Sequence, residues 1–71
     1  MAHWEIKIPT VTEGQRTGVQ VFMYPADRFR VRSEAVKQAR ADFDSEDAVR
    51  HRGGAVAGAD AITAVWHDPL I

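Results

Sequence analysis

The chain contains no cysteine. A disulfide framework, a thiolate zinc site, an iron–sulfur cluster and a cysteine nucleophile are therefore all excluded. A chain of 71 residues buries only about 60% of its unfolded surface on folding, so without such cross-links its stability depends on packing or on association with another subunit. We expect one domain over residues 1–71 and a homo-oligomer, most simply a dimer.

A strong excess of charge is missing too. Nine Lys and Arg stand against ten Asp and Glu, for a formal net charge of -1. Nucleic-acid binding would therefore need a local basic patch instead of a global positive field. The most apolar stretch, residues 55–66, is interrupted by Gly58 and Asp60 and is too short to cross a bilayer. Since no basic-then-apolar leader opens the chain, we expect a cytoplasmic protein with no membrane partner.

Alternating hydrophobicity predicts strands in the first part of the chain. Residues 4–8 alternate, and residues 17–24 resume the pattern after a polar connector that contains Gly14. We assign Val19, Val21 and Met23 to the core, which leaves Gln20, Phe22 and Tyr24 on the other face of the second strand. A turn at Pro25 then leads into a third predicted strand over residues 28–32.

Helical spacing and capping residues predict two helices in the middle of the chain. The first runs from Ser33, as the N-cap, to Phe43. The second covers about residues 45–52, because cap and first-turn residues cluster at its start and Gly53-Gly54 follows its end. Residues 55–60 are small and favour a loop, and residues 61–67 predict a final strand.

These elements predict an α+β fold. It is a small single-layer, mostly antiparallel sheet in the order β-β-β-α-(short α)-β, with the helices packed on one face. The predicted core consists of the apolar side chains that share the inward faces: Trp4, Ile6, Ile8, Val19, Val21, Met23, Phe29, Val31, Val36, Ala39, Phe43, Val49, Ile62 and Trp66.

One sheet face of this predicted fold combines basic and aromatic side chains. The third strand would project Arg28, Arg30 and Arg32 from the face that also carries Gln20, Phe22 and Tyr24. Guanidinium groups bind phosphates and aromatic rings stack on bases, so this surface is a candidate site for nucleic acid or another partner. The alternative is a solvated face whose arginines pair with acidic side chains such as Glu5.

Apolar groups near the two ends of the chain suggest a different surface. Large aromatic and aliphatic side chains often anchor protein interfaces, and the candidates here are Trp4, Val65, Trp66, Leu70 and Ile71. An edge strand at residues 4–8 or 61–67 could also extend the sheet across a two-fold axis. Both arrangements imply a second copy or another protein as the partner.

Residue patterns typical of catalysis or metal binding are weak. The acidic cluster Asp42, Asp44, Glu46 and Asp47 lacks the spacing of a calcium loop and suits helix capping. His3, His51 and His67 show no metal-site or catalytic spacing, and the chain has neither a nucleophile elbow nor a phosphate-binding loop. We expect no catalytic residue, no metal and no cofactor.

The sequence therefore favours a non-enzymatic protein–protein interaction module with a regulatory or accessory role that associates with itself. The alternative hypothesis is a nucleic-acid-binding domain that uses the predicted surface of arginine and aromatic residues.

Overall fold

The computed structural model describes residues 1–69 and confirms a small α+β architecture with an antiparallel sheet. The elements in chain order are β1 (His3–Val11), β2 (Thr17–Pro25), α1 (Arg32–Phe43), α2 (Glu46–His51), β3 (Val56–Ala57) and β4 (Thr63–His67). β2 pairs along the whole of one side of β1. β3 and β4 share the other side, where they pair with the two ends of the strand. β1 is therefore the central strand, and β2 and β4 lie at the edges.

The predicted third strand at residues 28–32 does not form. The amides of Arg28 and Phe29 both donate to the carbonyl of Pro25, at 3.2 and 3.1 Å, and the indole Nε1 of Trp4 donates to the carbonyl of Phe29 at 2.9 Å. These backbone groups are satisfied in a turn, without a strand partner. Arg32 already begins α1, so the observed order is β-β-α-α-β-β.

The pairing of β1 with β2 reverses the predicted faces of β2. Ile8, Ile6 and Trp4 lie opposite Gln20, Phe22 and Tyr24, and directly paired residues point to the same side of a sheet. The latter three therefore face the helices. The residues of β2 that alternate with them are predicted core residues but are exposed: Val19 by 53%, Val21 by 43% and Met23 by 57%.

The core lies between the sheet and α1 and is thin. Its buried members are Ile6, Ile8, Tyr24, Ala35, Ala39 and Phe43. The alanines of α1 let the helix approach β1 closely, and Ile6 is the only large side chain in the described part of the chain that is completely buried. Val31, Val49 and Trp66 were also predicted core residues, but they are 50%, 40% and 44% exposed.

The helix boundaries confirm one predicted cap and correct another. Ser45 accepts a hydrogen bond from the amide of Ala48 at 3.3 Å and caps α2 as expected. α1 begins one residue before Ser33, after Val31, and has no side-chain cap. Gly53 and Gly54 have φ angles of 61° and 85° after α2, the left-handed conformation expected of glycine at a helix stop.

The described residues form an elongated unit. Their radius of gyration is 12.8 Å and the principal extents are 41 × 22 × 18 Å, whereas a globular chain of this length has a radius of about 11 Å. Neither α1 nor α2 is long and apolar enough to span a membrane, and no other helix occurs among residues 1–69. The elongation agrees with a sheet that its helices cover on one side only.

Candidate interaction surface

The sheet presents one face to the helices and the other to solvent. The side chains on the solvent side, here called the open face, are those in phase with Glu5 of β1: His3, Glu5, Lys7, Pro9 and Val11 of β1, Thr17, Val19, Val21, Met23 and Pro25 of β2, Val56 of β3, and Thr63, Val65 and His67 of β4. Paired residues of antiparallel strands share a face, so the strand register alone defines this set.

The β2 side of the open face is apolar. Val19, Val21 and Met23 form a continuous row, here called the β2 stripe, and Val65 of β4 adds an apolar group that is 41% exposed across the sheet. An antiparallel sheet with one solvated face usually carries polar side chains there. Contiguous exposed apolar side chains instead mark surfaces for association.

The centre of the open face is charged. A single carboxylate oxygen of Glu5 lies 3.5 Å from Nζ of Lys7 and 3.5 Å from Nε2 of His67. The ring of His3 stacks on His67 with their centroids 4.9 Å apart. Burial is the largest single influence on Glu5 and by itself raises the pKa of this carboxyl, but His67 and Lys7 together outweigh it and hold the pKa below its usual value. Glu5 is therefore a carboxylate near neutral pH, flanked by one permanent cation.

The predicted surface of arginine and aromatic residues is not assembled on one sheet face. Gln20 and Tyr24 are buried on the helix side, and Phe22 packs against the same core. The exposed arginines lie elsewhere: Arg28 and Arg30 in the segment after β2, and Arg32 at the start of α1. The prediction failed geometrically because β2 turns its aromatic residues inward and no third strand follows it.

Tyr24 and Gln20 instead make specific contacts beneath the helices. The hydroxyl of Tyr24 donates to Oδ2 of Asp42 at 2.6 Å, and the amide of Gln20 donates to the carbonyl of Ala48 at 3.0 Å. Burial of the ring, and then the hydrogen bond to the carboxylate of Asp42, raise the pKa of Tyr24 well above its usual value. Both residues connect β2 to the helical layer.

The structure separates the predicted interface residues into two sets. Trp4 and Trp66 meet on the helix side in an edge-to-face contact, with centroids 5.0 Å apart and planes at 73°, whereas Val65 lies on the open face. Leu70 and Ile71 lie outside the described residues. Residues 4–8 belong to the central strand, so the prediction that they form an edge is wrong, whereas β4 does lie at an edge.

Features typical of a small-molecule or metal site are sparse. Within residues 1–69, no group of three or more His, Asp or Glu side chains is arranged to hold a metal ion. A cleft of about 240 Å³ beside α1 is lined by Ile8, Arg40, Phe43, Asp44, Ala57 and Ile62. Other depressions, of about 350–460 Å³, reach the volume of small-molecule pockets, about 300–1,000 Å³. The contiguous exposed apolar side chains, and not pocket size, make the open face the stronger candidate site.

Sequence analysis missed the β2 stripe because it assigned the wrong phase to β2. The parity of the hairpin register carries the signal: Val11 pairs with Thr17, so odd-numbered residues pair with odd-numbered ones along the entire hairpin. The polar phase of β1, which contains Glu5 and Lys7, must then share its face with Val21 and Met23. Comparison of the chain with protein-family models, curated proteins and solved structures yields no match.

Proposed function

We propose that this protein is a non-enzymatic interaction module that associates with itself through the open face of its sheet. The β2 stripe carries the proposal, because its three side chains are 43% to 57% exposed on a face that neither helix covers. Such an arrangement suits a small regulatory or accessory protein whose activity is the contact it makes.

The gain from covering the stripe supports this function. Complete burial of a valine or methionine side chain contributes about 1.5–3 kcal/mol, so side chains that are half exposed still have roughly 1 kcal/mol each to gain. The core of the domain is thin, with Ile6 as its one completely buried large side chain among the described residues. A partner on the open face would supply the second layer that the sheet lacks.

A variant pair with matched exposure tests the role of the open face. Val21 on the stripe and Val49 on α2 are 43% and 40% exposed. We expect Val21→Glu to weaken self-association at least tenfold, since it places a carboxylate in the covered layer, and Val49→Glu to leave association unchanged. Lys7 lies opposite Val21 in the register, so a glutamate there has a neighbouring cation and the monomer should still fold.

The measurement is size-exclusion chromatography with light scattering, together with sedimentation equilibrium, over a wide range of concentrations. The proposal requires the wild-type chain to pass from monomer to dimer as concentration rises. A wild-type chain that stays monomeric up to roughly 0.1 mM, a concentration at which a dimer with a micromolar dissociation constant is mostly formed, would contradict it. Equal weakening by both glutamate variants would show that the open face is not the surface used.

Nucleic-acid binding remains the second candidate function. Arg28, Arg30 and Arg32 are exposed within five residues of one another, and none forms a salt bridge with the part of the chain that the structure describes. Free guanidinium groups can contact phosphates. The same chromatography with a mixed DNA and RNA pool at two salt concentrations tests this function. Co-elution that is lost at high salt, and lost when the three arginines are replaced by alanine, would favour it.

A further inference from the structure

We propose that the partner on the open face is a second copy of this chain, stacked face to face with its strands antiparallel, so that Glu5 of each copy lies against Lys7 of the other. This inference rests on the proposed function and adds the identity, orientation and register of the partner. It follows from the way charge is distributed over the rows of the sheet.

The strand pairing arranges the open face in five rows that run across the strands, the last of which is Val11 with Thr17 and Val56. The first four are His3 with Pro25 and His67, then Glu5 with Met23 and Val65, then Lys7 with Val21 and Thr63, then Pro9 with Val19. The negative charge lies in the second row and the permanent positive charge in the third. The charge pattern therefore changes sign between the second and third rows.

The proposed two-fold axis lies between the two sheets and crosses their strands at right angles. It passes between the second and third rows, so it exchanges these two rows. Glu5 of each copy then faces Lys7 of the other, twice per dimer. The same operation sets Met23 against Val21 on the β2 side. The axis therefore joins opposite charges and apolar side chains in a single arrangement, as a self-complementary two-fold interface requires.

The first and fourth rows and β4 also fit this axis, whereas the fifth row extends beyond the facing sheet. Val65 faces Thr63 of the other copy, and Val19 faces Pro25. Sheets that pack in the aligned manner lie about 10 Å apart, with their strands about 30° apart. Their side chains interdigitate between the layers, so facing residues need not lie directly opposite each other. His3 at the edge of the face then lies opposite Pro9 of the other copy, away from its Lys7.

Several other face-to-face registers bring like charges together. An axis through the third row places Lys7 on Lys7, and an axis through the second row places Glu5 on Glu5. An axis parallel to the strands and above β1 does both. Juxtaposed like charges disfavour association, and among face-to-face two-fold arrangements only the axis between the second and third rows sets Glu5 against Lys7. A side-by-side pairing of two β2 edges would leave the β2 stripe exposed, so it does not account for the stripe.

The area of the open face determines the affinity that we expect for the dimer. β1 and β2 have nine residues each, and β3 and β4 add two and five on the other side of β1. At about 3.3 Å per residue and about 4.8 Å between strands, they cover roughly 400 Å² in plan on each copy. Specific stable complexes bury about 1,200–2,000 Å² in total. The dimer should therefore be weak, in the micromolar range, and its affinity should fall with salt because exchanged ion pairs contribute to it.

Charge reversal on the two partner residues tests the register. In Glu5→Lys, both exchanged pairs become Lys against Lys, and in Lys7→Glu both become Glu against Glu. We expect each variant alone to self-associate at least tenfold more weakly than wild type. In an equimolar mixture every exchanged pair is attractive, so we expect a heterodimer whose affinity returns to within about threefold of wild type.

The heterodimer is measured by fluorescence-detected sedimentation of one labelled variant titrated with the other. The chain has no cysteine, so a single Lys37→Cys substitution on the exposed side of α1 gives a unique labelling position. Lys37→Glu serves as the control, because it reverses a charge away from the open face and should retain wild-type association. Circular dichroism of each variant confirms that it is folded.

The possible outcomes separate this inference from the function on which it rests. If Val21→Glu abolishes the dimer while both charge variants still self-associate like wild type, the interaction module stands and the register is wrong. If the mixture of the two charge variants forms no heterodimer, the exchanged pairs do not exist. If the wild-type chain does not self-associate, both proposals fail.

A second pair of variants applies if a charge reversal prevents folding. The proposed axis sets Val21 of one copy against Met23 of the other, so a mixture of Val21→Cys and Met23→Cys, oxidised with glutathione disulfide, should form the mixed disulfide several times faster than either homodimer. Equal rates for the three products, or faster homodimer formation, would overturn the register.

Discussion

Two polar side chains on the inward face of β2 show how single residues position the sheet against the helices. Tyr24 donates to Asp42 of α1 at 2.6 Å, and the other carboxylate oxygen of Asp42 accepts from Nε2 of Gln38 at 2.9 Å. Gln20 contacts the carbonyl of Ala48 in α2. Buried polar groups need such partners, so these contacts accompany the inward orientation of the β2 aromatics.

Tyr24 leads to a prediction about alkaline stability. Its pKa is raised in the folded chain by burial and by Asp42, so folding favours the protonated hydroxyl. The stabilisation is fully present below the pKa of an unfolded tyrosine, about 10, and is lost as pH rises from there towards the folded pKa. We expect the free energy of unfolding in urea to fall more steeply above about pH 10 in wild type than in Tyr24→Phe.

The absorbance of the phenolate provides a direct check, because this chain has a single tyrosine. The folded protein should titrate at a higher pH than the protein in concentrated urea. Identical titration curves in the two conditions would show that Asp42 and burial do not affect the hydroxyl.

Arg52 is a structural residue that sequence analysis did not single out. Its guanidinium lies 3.6 Å above the ring centroid of Phe43. Its Nε donates to the carbonyl of Ala55 at 2.7 Å, and its Nη1 donates to Oε1 of Gln20 at 3.1 Å and to the carbonyl of Phe43. These contacts gather β2, the end of α1 and the segment after α2. Because most of its partners are distant in sequence, no local pattern marks this arginine.

At the scale of elements, α2 shows what a cap contributes to a short helix. α2 has six residues, too few to be stable without flanking interactions. Ser45 accepts from the amide of Ala48, and its hydroxyl donates to the carbonyl of Asp42 at 2.7 Å. The serine therefore connects the end of α1 to the start of α2.

Replacement of the two serines near helix starts distinguishes a cap from a first-turn residue. We expect Ser45→Ala to lower the free energy of unfolding by about 1 kcal/mol. Ser33→Ala should change it by less than about 0.5 kcal/mol, because Ser33 lies within α1 and exposed substitutions of this kind are nearly neutral. Urea denaturation followed by circular dichroism measures both. A larger loss for Ser33→Ala would contradict the observed helix start.

The hairpin of β1 and β2 is the element in which local pattern and observed structure disagree. Both faces of β2 contain large apolar side chains, so alternation predicts a strand there but not which face is buried. Pairing with β1 decides this, since the clear polar phase of Glu5 and Lys7 fixes the outward side. The register of a hairpin is set by its connection, here residues 12–16.

At the scale of the whole molecule, the helices cover only one face of the sheet. If a second copy covers the open face, the stability of the folded chain depends on protein concentration. Any partner that binds only the folded chain stabilises it by mass action. A hundredfold excess over the dissociation constant corresponds to about 2.7 kcal/mol, and a chain of this size gains about 4–8 °C in melting temperature per kcal/mol, so the limiting shift is roughly 10–20 °C.

We therefore expect the melting temperature of the wild-type chain to rise by several degrees between about 1 µM and about 100 µM. Val21→Glu should melt at the same temperature at both concentrations, since its open face no longer associates. Calorimetry or thermal circular dichroism provides the measurement. A wild-type melting temperature that does not change with concentration would argue against any dimer linked to folding.

Local signals in the sequence determined most of the elements and the fold class. Alternation predicted the strands at residues 4–8, 17–24 and 61–67, and cap residues and glycines predicted the second helix and its end at Gly53 and Gly54. Residues 28–32 were misassigned, because an alternation of five residues is too short to distinguish a strand from a turn that leads into a helix.

Only the tertiary structure decided which residues form a surface. The same apolar row of β2 was predicted as core and is observed on the open face, and the predicted surface of arginine and aromatic residues is divided between a turn, a helix start and the buried side of the sheet. A shift of one residue in the pairing register turns every side chain of a strand to the opposite face of the sheet. Local composition determines that an element forms, whereas pairing between distant segments determines which of its two faces meets water.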